Sequence, residues 1–223
     1  MAHAQPIVRP SALRGFGVVG ILWILAILSG NIVVAPLSAV LVLVWARLSE
    51  TPLREIGYVR PRSWPRTIAT GVVLGAVLKL VLKSVVMPLL GADPVNRAYH
   101  YVARNPAALP FMLWAVIVGA GFGEETVFRG WMFERLHALL GWRRAATVAI
   151  VLVTSALFAS VHYGTQGVPG TEQAFITGLV FGSIYATTGE LPMIMIAHAT
   201  FDLVALGLIY WNVEAPVAHL IFR

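Results

Sequence analysis

Apolar runs follow one another almost end to end along this chain, and this pattern limits its possible folds more than any other feature. The runs lie near residues 15–29, 32–46, 67–87, 107–128, 145–162, 173–188 and 191–211. Of the 223 residues, 58% are hydrophobic and only 12% are charged, about half of the ~25% usual in soluble domains. A water-soluble fold would lack the polar residues to cover its surface. The sequence therefore predicts an all-α, polytopic transmembrane helical bundle with about seven membrane helices.

Several other classes of protein are excluded by the same sequence. Strands of a membrane barrel alternate between lipid-facing and lumen-facing residues, whereas the run from Val40 to Val44 is apolar at every position. Cysteine is absent, which excludes a disulfide framework and thiol catalysis. The formal charge of +6 does not indicate nucleic acid, because the basic residues lie between apolar runs instead of forming one patch.

The basic residues are divided unevenly between the predicted connections. If Ser29-Gly30-Asn31 is a turn, residues 15–46 form a hairpin, and the segments 1–14, 47–66 and 129–144 share one side with eleven of the 16 basic residues. A single kinked helix over residues 15–46 would separate the first basic segment from the second. The positive-inside rule favours the hairpin and a cytoplasmic N-terminus. We expect an integral membrane protein of a bacterial inner membrane.

No linker or internal repeat divides the chain, so we expect one integral membrane domain over residues 1–223, with a motif-bearing core at 107–208. The stretch from Thr51 to Pro65 is rich in arginine and typical of an interfacial segment. Lys79 and Lys83 lie one turn apart inside the third apolar run, where basic residues are costly. Lys83 is near the end of the run and can extend to the interface. The role of both lysines stays open.

Two adjacent carboxylates, Glu124 and Glu125, lie at the end of the fourth apolar run. Adjacent helical residues point about 100° apart, whereas Glu125 and Arg129 are four residues apart and share one face. This spacing predicts that Arg129 neutralises Glu125, while Glu124 stays free to act as a general base toward water. Ordinary surface charges at a helix end are the alternative explanation for this pair when it is considered alone.

Two histidines in later runs extend the set of candidates. His162 closes the fifth run and follows Phe158 by one helical turn, although a lone histidine at the end of a span is usually interfacial. His198 and Asp202 are four residues apart inside the last run, so their side chains face one direction. Such a pair can serve helix packing, but ionisable residues inside a membrane are costly and usually functional.

The depths of these residues allow them to meet. We counted along the helices at ~1.5 Å per residue from the predicted turns near Leu140 and Gly189. Glu124 and the pair of His198 and Asp202 then lie well inside the membrane at comparable depths. His162 fits this convergence least well.

Three motifs together resemble the CPBP family of intramembrane proteases, the CAAX protease and bacteriocin-processing family, also called type II CAAX endopeptidases. The family carries Glu-Glu-x-x-x-Arg, then Phe-x-x-x-His, then His-x-x-x-Asn or Asp, on successive membrane helices. The matching residues here, in the same order, are Glu124, Glu125 and Arg129, then Phe158 and His162, then His198 and Asp202. The resemblance covers about residues 107–208. It implies hydrolysis of a peptide bond by activated water, without a covalent enzyme intermediate.

The resemblance also implies a role for each motif residue. Glu124 would be the general base, helped by His162, while His198 and Asp202 would polarise the carbonyl or stabilise the oxyanion. Glu125, Arg129 and Phe158 would support this site. Asparagine is common in the family at the position of Asp202. A carboxylate there could add a metal ligand or, if ionised, weaken oxyanion binding.

The cofactor is left open by the sequence, between zinc and none. The family has been described as metal-dependent, and Glu124, His162 and His198 could supply three zinc ligands around one open position. The pattern His-Glu-x-x-His of soluble zinc peptidases is absent. The enzyme is thus expected to be a glutamate-type or metal-dependent endopeptidase. Its expected partners are membrane lipid and a peptide or membrane-associated protein substrate, prenylated or not, with no nucleic acid.

Two other functions are compatible with the sequence. A non-enzymatic scaffold or bacteriocin-immunity protein could keep the fold and use the polar cluster for packing, although every motif residue is present here. A small ion-coupled transporter could line its path with the same Glu, His, Asp and Lys residues, although the internal repeats frequent in such transporters are absent.

Overall fold

The computed structural model describes residues 10–222. Residues 1–9, the start of the first predicted basic segment, and Arg223 lie outside the described residues. Within residues 10–222 the chain forms nine helices and no strand, which confirms the all-α bundle. The helices are α1 (Pro10–Arg14), α2 (Val18–Val33), α3 (Leu37–Leu48), α4 (Trp64–Leu89), α5 (Pro106–Leu140), α6 (Arg144–Ser160), α7 (Tyr163–Thr188), α8 (Leu191–Tyr210) and α9 (Glu214–Ala218).

The first two apolar runs form an antiparallel hairpin of α2 and α3. At its closed end, the backbone N–H groups of Asn31 and Ser38 each donate to the other residue's side-chain oxygen at 2.9 Å. At its open end, Trp45 Nε1 donates to the carbonyl of Leu13 at 3.0 Å. These contacts require the chain to reverse between the two helices, which confirms the hairpin. The turn lies at residues 34–36, however, and Ser29-Gly30-Asn31, which was predicted to be the turn, is helical within α2.

Three helices, α4, α5 and α8, are long and apolar enough to cross a membrane. Their outward surfaces carry apolar side chains such as Val73, which is 61% exposed, as expected of a lipid-facing surface. The helices α2, α3 and α6 are apolar but have only 16, 12 and 17 residues, against the ~20 that a bilayer core requires. The helix α7 breaks at Gly167, where φ is +63°. The count of about seven spans stays a prediction.

The helix α5 is longer than the sequence predicts. Its 35 residues continue into the segment 129–144, which was expected to be a connection. The stretches Ala115–Glu124 and Thr126–Trp131 are π-helical, a wider geometry that is frequent at functional sites. Arg129 is therefore a buried helical residue with 1% exposure. Its assignment to a cytoplasmic connection was wrong, because Glu125 neutralises its charge inside the bundle.

The helices α4 and α8 pack with their backbones in near contact. A Cβ on Gly71 of α4 would come within 2.8 Å of the carbonyl oxygen of Met193. A Cβ on Gly75 would overlap the carbonyl oxygen of Ala197. Small residues four positions apart let membrane helices approach closely. This contact places Lys79, one turn after Gly75, beside the part of α8 that carries the predicted site.

The two ends of the bundle are built from different segments. One end, called face A, consists of residues 10–17, 49–63, 141–143 and 189–190, and the other, called face B, consists of residues 34–36, 90–105, 161–167 and 211–222. At face A, the 3₁₀ turn Leu53–Ile56 and Gly57 close over the helix ends, and Leu191 donates its N–H to the carbonyl of Gly57 at 2.9 Å. At face B, Arg104 donates its N–H to the carbonyl of Tyr210 at 3.0 Å.

Candidate active site

All four predicted catalytic residues line one cavity. This cavity has a volume of about 360 Å³ and is lined by Glu124 of α5, His162 at the junction of α6 and α7, and His198 and Asp202 of α8. Its volume falls within the ~300–1,000 Å³ typical of ligand sites. Residues from distant parts of the sequence thus converge. His162, which fitted the depth count least well, is among them.

His198 occupies the centre of this polar group. Its Nδ1 lies 2.6 Å from Oε1 of Glu125, and because an ionised carboxylate only accepts, Nδ1 carries the proton in this bond. Its Nε2 faces Glu124 Oε2 at 3.8 Å and Asp202 Oδ2 at 3.6 Å. Both distances exceed those of direct hydrogen bonds. A water or a substrate oxygen can bridge groups at this separation.

Glu125 and Arg129 form a buried ion pair beside His198. Arg129 Nη1 donates to Glu125 Oε1 at 2.9 Å, as the spacing of four residues predicts, and the side chains are 1% and 0% exposed. The guanidinium carbon also lies 4.5 Å from the ring centre of Phe158 and 5.8 Å from that of Phe181, which are cation–π distances. Glu125 Oε1 therefore accepts from two helices, and it fixes the orientation of His198.

His162 is oriented by its own helix. Its Nδ1 lies 2.7 Å from the carbonyl oxygen of Phe158, and since a carbonyl only accepts, a neutral ring presents Nε2 as an acceptor. The ring centre of Phe158 lies 4.7 Å from that of His162 and 5.9 Å from that of His198. The aromatic residue of the second motif thus packs against both imidazoles.

Glu124 and Asp202 are the two carboxylates that face the cavity, and each side chain is 26% exposed. Glu124 Oε2 has no hydrogen-bond partner among residues 10–222. A buried oxygen of this kind is suited to a transient hydrogen bond with water or substrate. Glu125 has 0% side-chain exposure, so the two adjacent glutamates lie in different environments.

Two lysines have partners that the sequence did not indicate. Lys79 lines the cavity, and its Nζ donates to Gln173 Oε1 at 2.9 Å. Lys83 does not extend to the interface. Its Nζ instead donates to Glu214 Oε1 at 3.0 Å and to the carbonyl of Pro94 at 2.7 Å. The signal for both was a basic residue inside an apolar run, but nothing in the run identified Gln173 or Glu214 as the partner.

Tyr99 and Gln166 also line the cavity and were missed by sequence reasoning. Gln166 Nε2 lies 3.4 Å from Tyr99 Oη, which accepts its hydrogen bond. Burial and then the negative charges of Asp202 and Glu124 raise the pKa of Tyr99. Neither residue carries a charge or belongs to a motif, so no local signal could have found them.

Glu124, His162 and His198, the residues that the sequence offers as zinc ligands, all line the cavity. Across residues 10–222, no three His, Cys, Asp or Glu side chains are already placed to hold one ion. His198 could offer only its Nε2 to a metal, because its Nδ1 is hydrogen-bonded to Glu125. A chelator experiment decides between zinc-dependent and metal-free catalysis.

Residues 106–204 match the family model of the type II CAAX prenyl endopeptidases described as Rce1-like. This segment, 99 of the 223 residues, is similar to that family. The matched segment runs from the first residue of α5 into α8 and includes all seven motif residues. The resemblance to CAAX-processing proteases is confirmed. A search of curated proteins found no match, and neither did a search of solved structures.

The match to the Rce1-like family over residues 106–204 indicates the general class of this protein. That family consists of membrane peptidases, which agrees with the three long apolar helices. An integral membrane location and a peptide or protein substrate within the membrane follow from that class.

Proposed function

We propose that this protein is an intramembrane endopeptidase of the glutamate type, in which Glu124 activates water for attack on a peptide bond. The position of His198 carries this proposal, because Glu125 holds its Nδ1 while its Nε2 faces Glu124 and Asp202 in the cavity. A free carboxylate beside an oriented imidazole supplies a general base and a hydrogen-bond donor for an oxyanion.

In the proposed reaction, Glu124 takes a proton from water as the water oxygen attacks the carbonyl carbon. Nε2 of His162 orients that water by accepting a hydrogen bond. The oxyanion of the tetrahedral intermediate accepts a hydrogen bond from Nε2–H of His198, whose ring is the imidazolium in this scheme, because Nδ1–H donates to Glu125 at the same time. Glu124 then gives its proton to the amide nitrogen, the C–N bond breaks, and a carboxyl group and an amine leave.

Asp202 completes the oxyanion site in this scheme. It lies 3.6 Å from the same nitrogen of His198 that faces Glu124. The asparagine common at this position in the family would donate through its amide. Asp202 can donate in the same way only while its carboxyl group holds a proton.

The proposed location is a bacterial inner membrane with the N-terminus in the cytoplasm. The arginines of face A support this orientation, since cytoplasmic connections are enriched in Lys and Arg. The proposed substrate is a peptide or a membrane-associated protein, prenylated or not. Membrane lipid is the other proposed partner and surrounds the bundle.

Cleavage of a fluorogenic peptide by the purified protein in detergent tests this proposal. Glu124→Gln keeps the shape of the side chain but removes the basic carboxylate, and it should lower kcat by about 10²–10⁴-fold. Glu50→Gln, which changes an exposed glutamate at face A, is the matched control and should leave kcat unchanged. Full activity of Glu124→Gln would refute the assigned role.

The same assay separates the other candidate functions. A scaffold, an immunity protein or a transporter would show no cleavage by the unmodified protein. If a chelator abolished cleavage and zinc restored it, the reaction would be metal-dependent and the glutamate-type proposal would be wrong.

A further inference from the structure

The catalytic cavity is lined by segments of face B and by none of face A. Ala35, Asn96, Tyr99, Tyr101 and Gln166 all belong to face B and line the cavity. No residue of face A among the described residues contributes to the lining. The cavity therefore extends from the catalytic residues toward face B.

A packed layer separates the catalytic residues from face A. Tyr58 Oη and Thr126 Oγ1 are hydrogen-bonded at 2.6 Å across this layer. Its apolar side chains have 0% exposure, and they are Ile56, Phe181, Leu191 and Ile194. A peptide could reach Glu124 from face A only by unpacking this layer, whereas access from face B needs no such change.

Face A also carries most of the basic charge. In the part of the chain that the structure describes, the arginines at or near face A are Arg14, Arg47, Arg54, Arg60, Arg62, Arg66, Arg135, Arg143 and Arg144. Face B has Arg97 and Arg104, with the buried Lys83 nearby. Because acidic residues contribute little to the positive-inside rule, this asymmetry assigns face A to the cytoplasm.

We infer that the catalytic cavity is entered from the extracytoplasmic side, and that its occupant is the membrane-proximal segment of a translocated protein. The exposed aromatic side chains Tyr101, Phe111 and Trp114 line the cavity. Such rings are typical of the membrane interface, where one end of a side chain is apolar and the other is wet. The nature of this occupant rests on the proposed peptidase function, whereas the direction of the opening does not.

Single cysteines can report the orientation directly, because the chain has no cysteine of its own. Tyr101→Cys at face B and Trp142→Cys at face A replace matched aromatic residues that are 56% and 77% exposed. In intact bacterial cells, a membrane-impermeant maleimide should label Tyr101→Cys fully. It should label Trp142→Cys only after permeabilisation. The reverse pattern would overturn the inference.

A cysteine inside the cavity tests the opening itself. Gly119 lines the cavity, and a Cβ there would meet no atom within 4 Å, so Gly119→Cys should be tolerated. A small impermeant methanethiosulfonate should modify it in intact cells, and modification should be lost in inverted vesicles. Ala115→Cys, which lies on the same lining, is a second probe. Modification of both probes from the cytoplasmic side only, or from neither side, would overturn the inference.

A peptide that cannot cross membranes tests the substrate side. Right-side-out vesicles should cleave it, and sealed inverted vesicles should not. If detergent-purified protein cleaves no peptide, the proposed function fails, while the cysteine probes still decide the direction of the opening. If it cleaves peptides but the probes react only from the cytoplasm, this inference alone fails.

Discussion

Glu125 holds the only polar contact described for Nδ1 of His198 within residues 10–222, through an oxygen that it shares with Arg129. This arrangement gives the two adjacent glutamates different tasks. Glu124 faces the cavity and is available for proton transfer. Glu125 accepts the hydrogen bond of His198 Nδ1 and thereby orients the imidazole. A substitution at either residue should lower cleavage, but for different reasons.

Glu125→Gln should reduce both stability and activity. The change leaves Arg129 without its carboxylate in a site that is 1% exposed, and a broken buried ion pair costs about 3–5 kcal/mol. The melting temperature in detergent should therefore fall together with kcat. Glu124→Gln, measured beside it, should lose activity with a nearly unchanged melting temperature. If Glu125→Gln were fully stable but inactive, the roles of the two glutamates would have to be exchanged.

Contacts within one helical turn could be predicted from the sequence, whereas contacts between helices could not. The pair of Glu125 and Arg129 follows from their spacing of four residues. The contact between Glu125 and His198 spans 73 residues. It depends on the rotation of α5 against α8, which no local pattern encodes. Gln173 and Glu214, the partners of the two lysines, escaped prediction for the same reason.

At the level of helices, hydropathy located the apolar runs but not every helix end. The fourth run ends at Phe128 because a charged residue follows it. The helix α5 nevertheless continues to Leu140, since the charge of Arg129 is compensated inside the bundle. By contrast, the glycine spacing of Gly71 and Gly75 is visible in the sequence, and the close packing of α4 against α8 could have been predicted from it.

Gly75→Ala should destabilise the contact between α4 and α8. The new Cβ would overlap the carbonyl oxygen of Ala197, a backbone atom that cannot rotate away. Overpacking of this kind costs about 1–3 kcal/mol, so the melting temperature should fall. Cleavage should also decrease, because His198 follows Ala197 directly on α8 and Asp202 lies five residues after it.

Gly164→Ala is the matched control for this substitution, because a Cβ there would meet no atom within 4 Å. It should leave both the melting temperature and cleavage unchanged. Equal effects of the two alanines would show that the close approach of α4 and α8 does not limit stability.

At the level of the whole molecule, the C-terminal segment is tied to a membrane helix by a buried ion pair. Glu214 of α9 accepts from Lys83 Nζ at 3.0 Å and from the backbone N–H of Asn96 at 3.1 Å. The pair thus joins α4, the connection 90–105 and α9. Its sequence separation of 131 residues explains why it could not be predicted, whereas the membrane class and the convergence of the motifs could be.

Glu214→Leu should destabilise the protein, because Lys83 would keep a buried charge without its carboxylate, at a cost of about 3–5 kcal/mol. The double substitution Lys83→Met with Glu214→Leu should recover most of this loss, since apolar replacement of a whole buried pair is often neutral. Melting temperatures of the single and double variants check this expectation. A single variant as stable as the unmodified protein would contradict it.

The burial of the Glu125 and Arg129 side chains, at 0% and 1% exposure, also removes them from contact with dissolved ions. Mobile ions screen exposed pairs over a Debye length of about 8 Å at physiological ionic strength, but they screen buried pairs much less. The exposed pair of Arg14 and Glu55 at face A, 38% and 40% exposed, should weaken as salinity rises. The ion pair that orients His198 should not, so the geometry of the site is insulated from changes in the salt content of the surroundings.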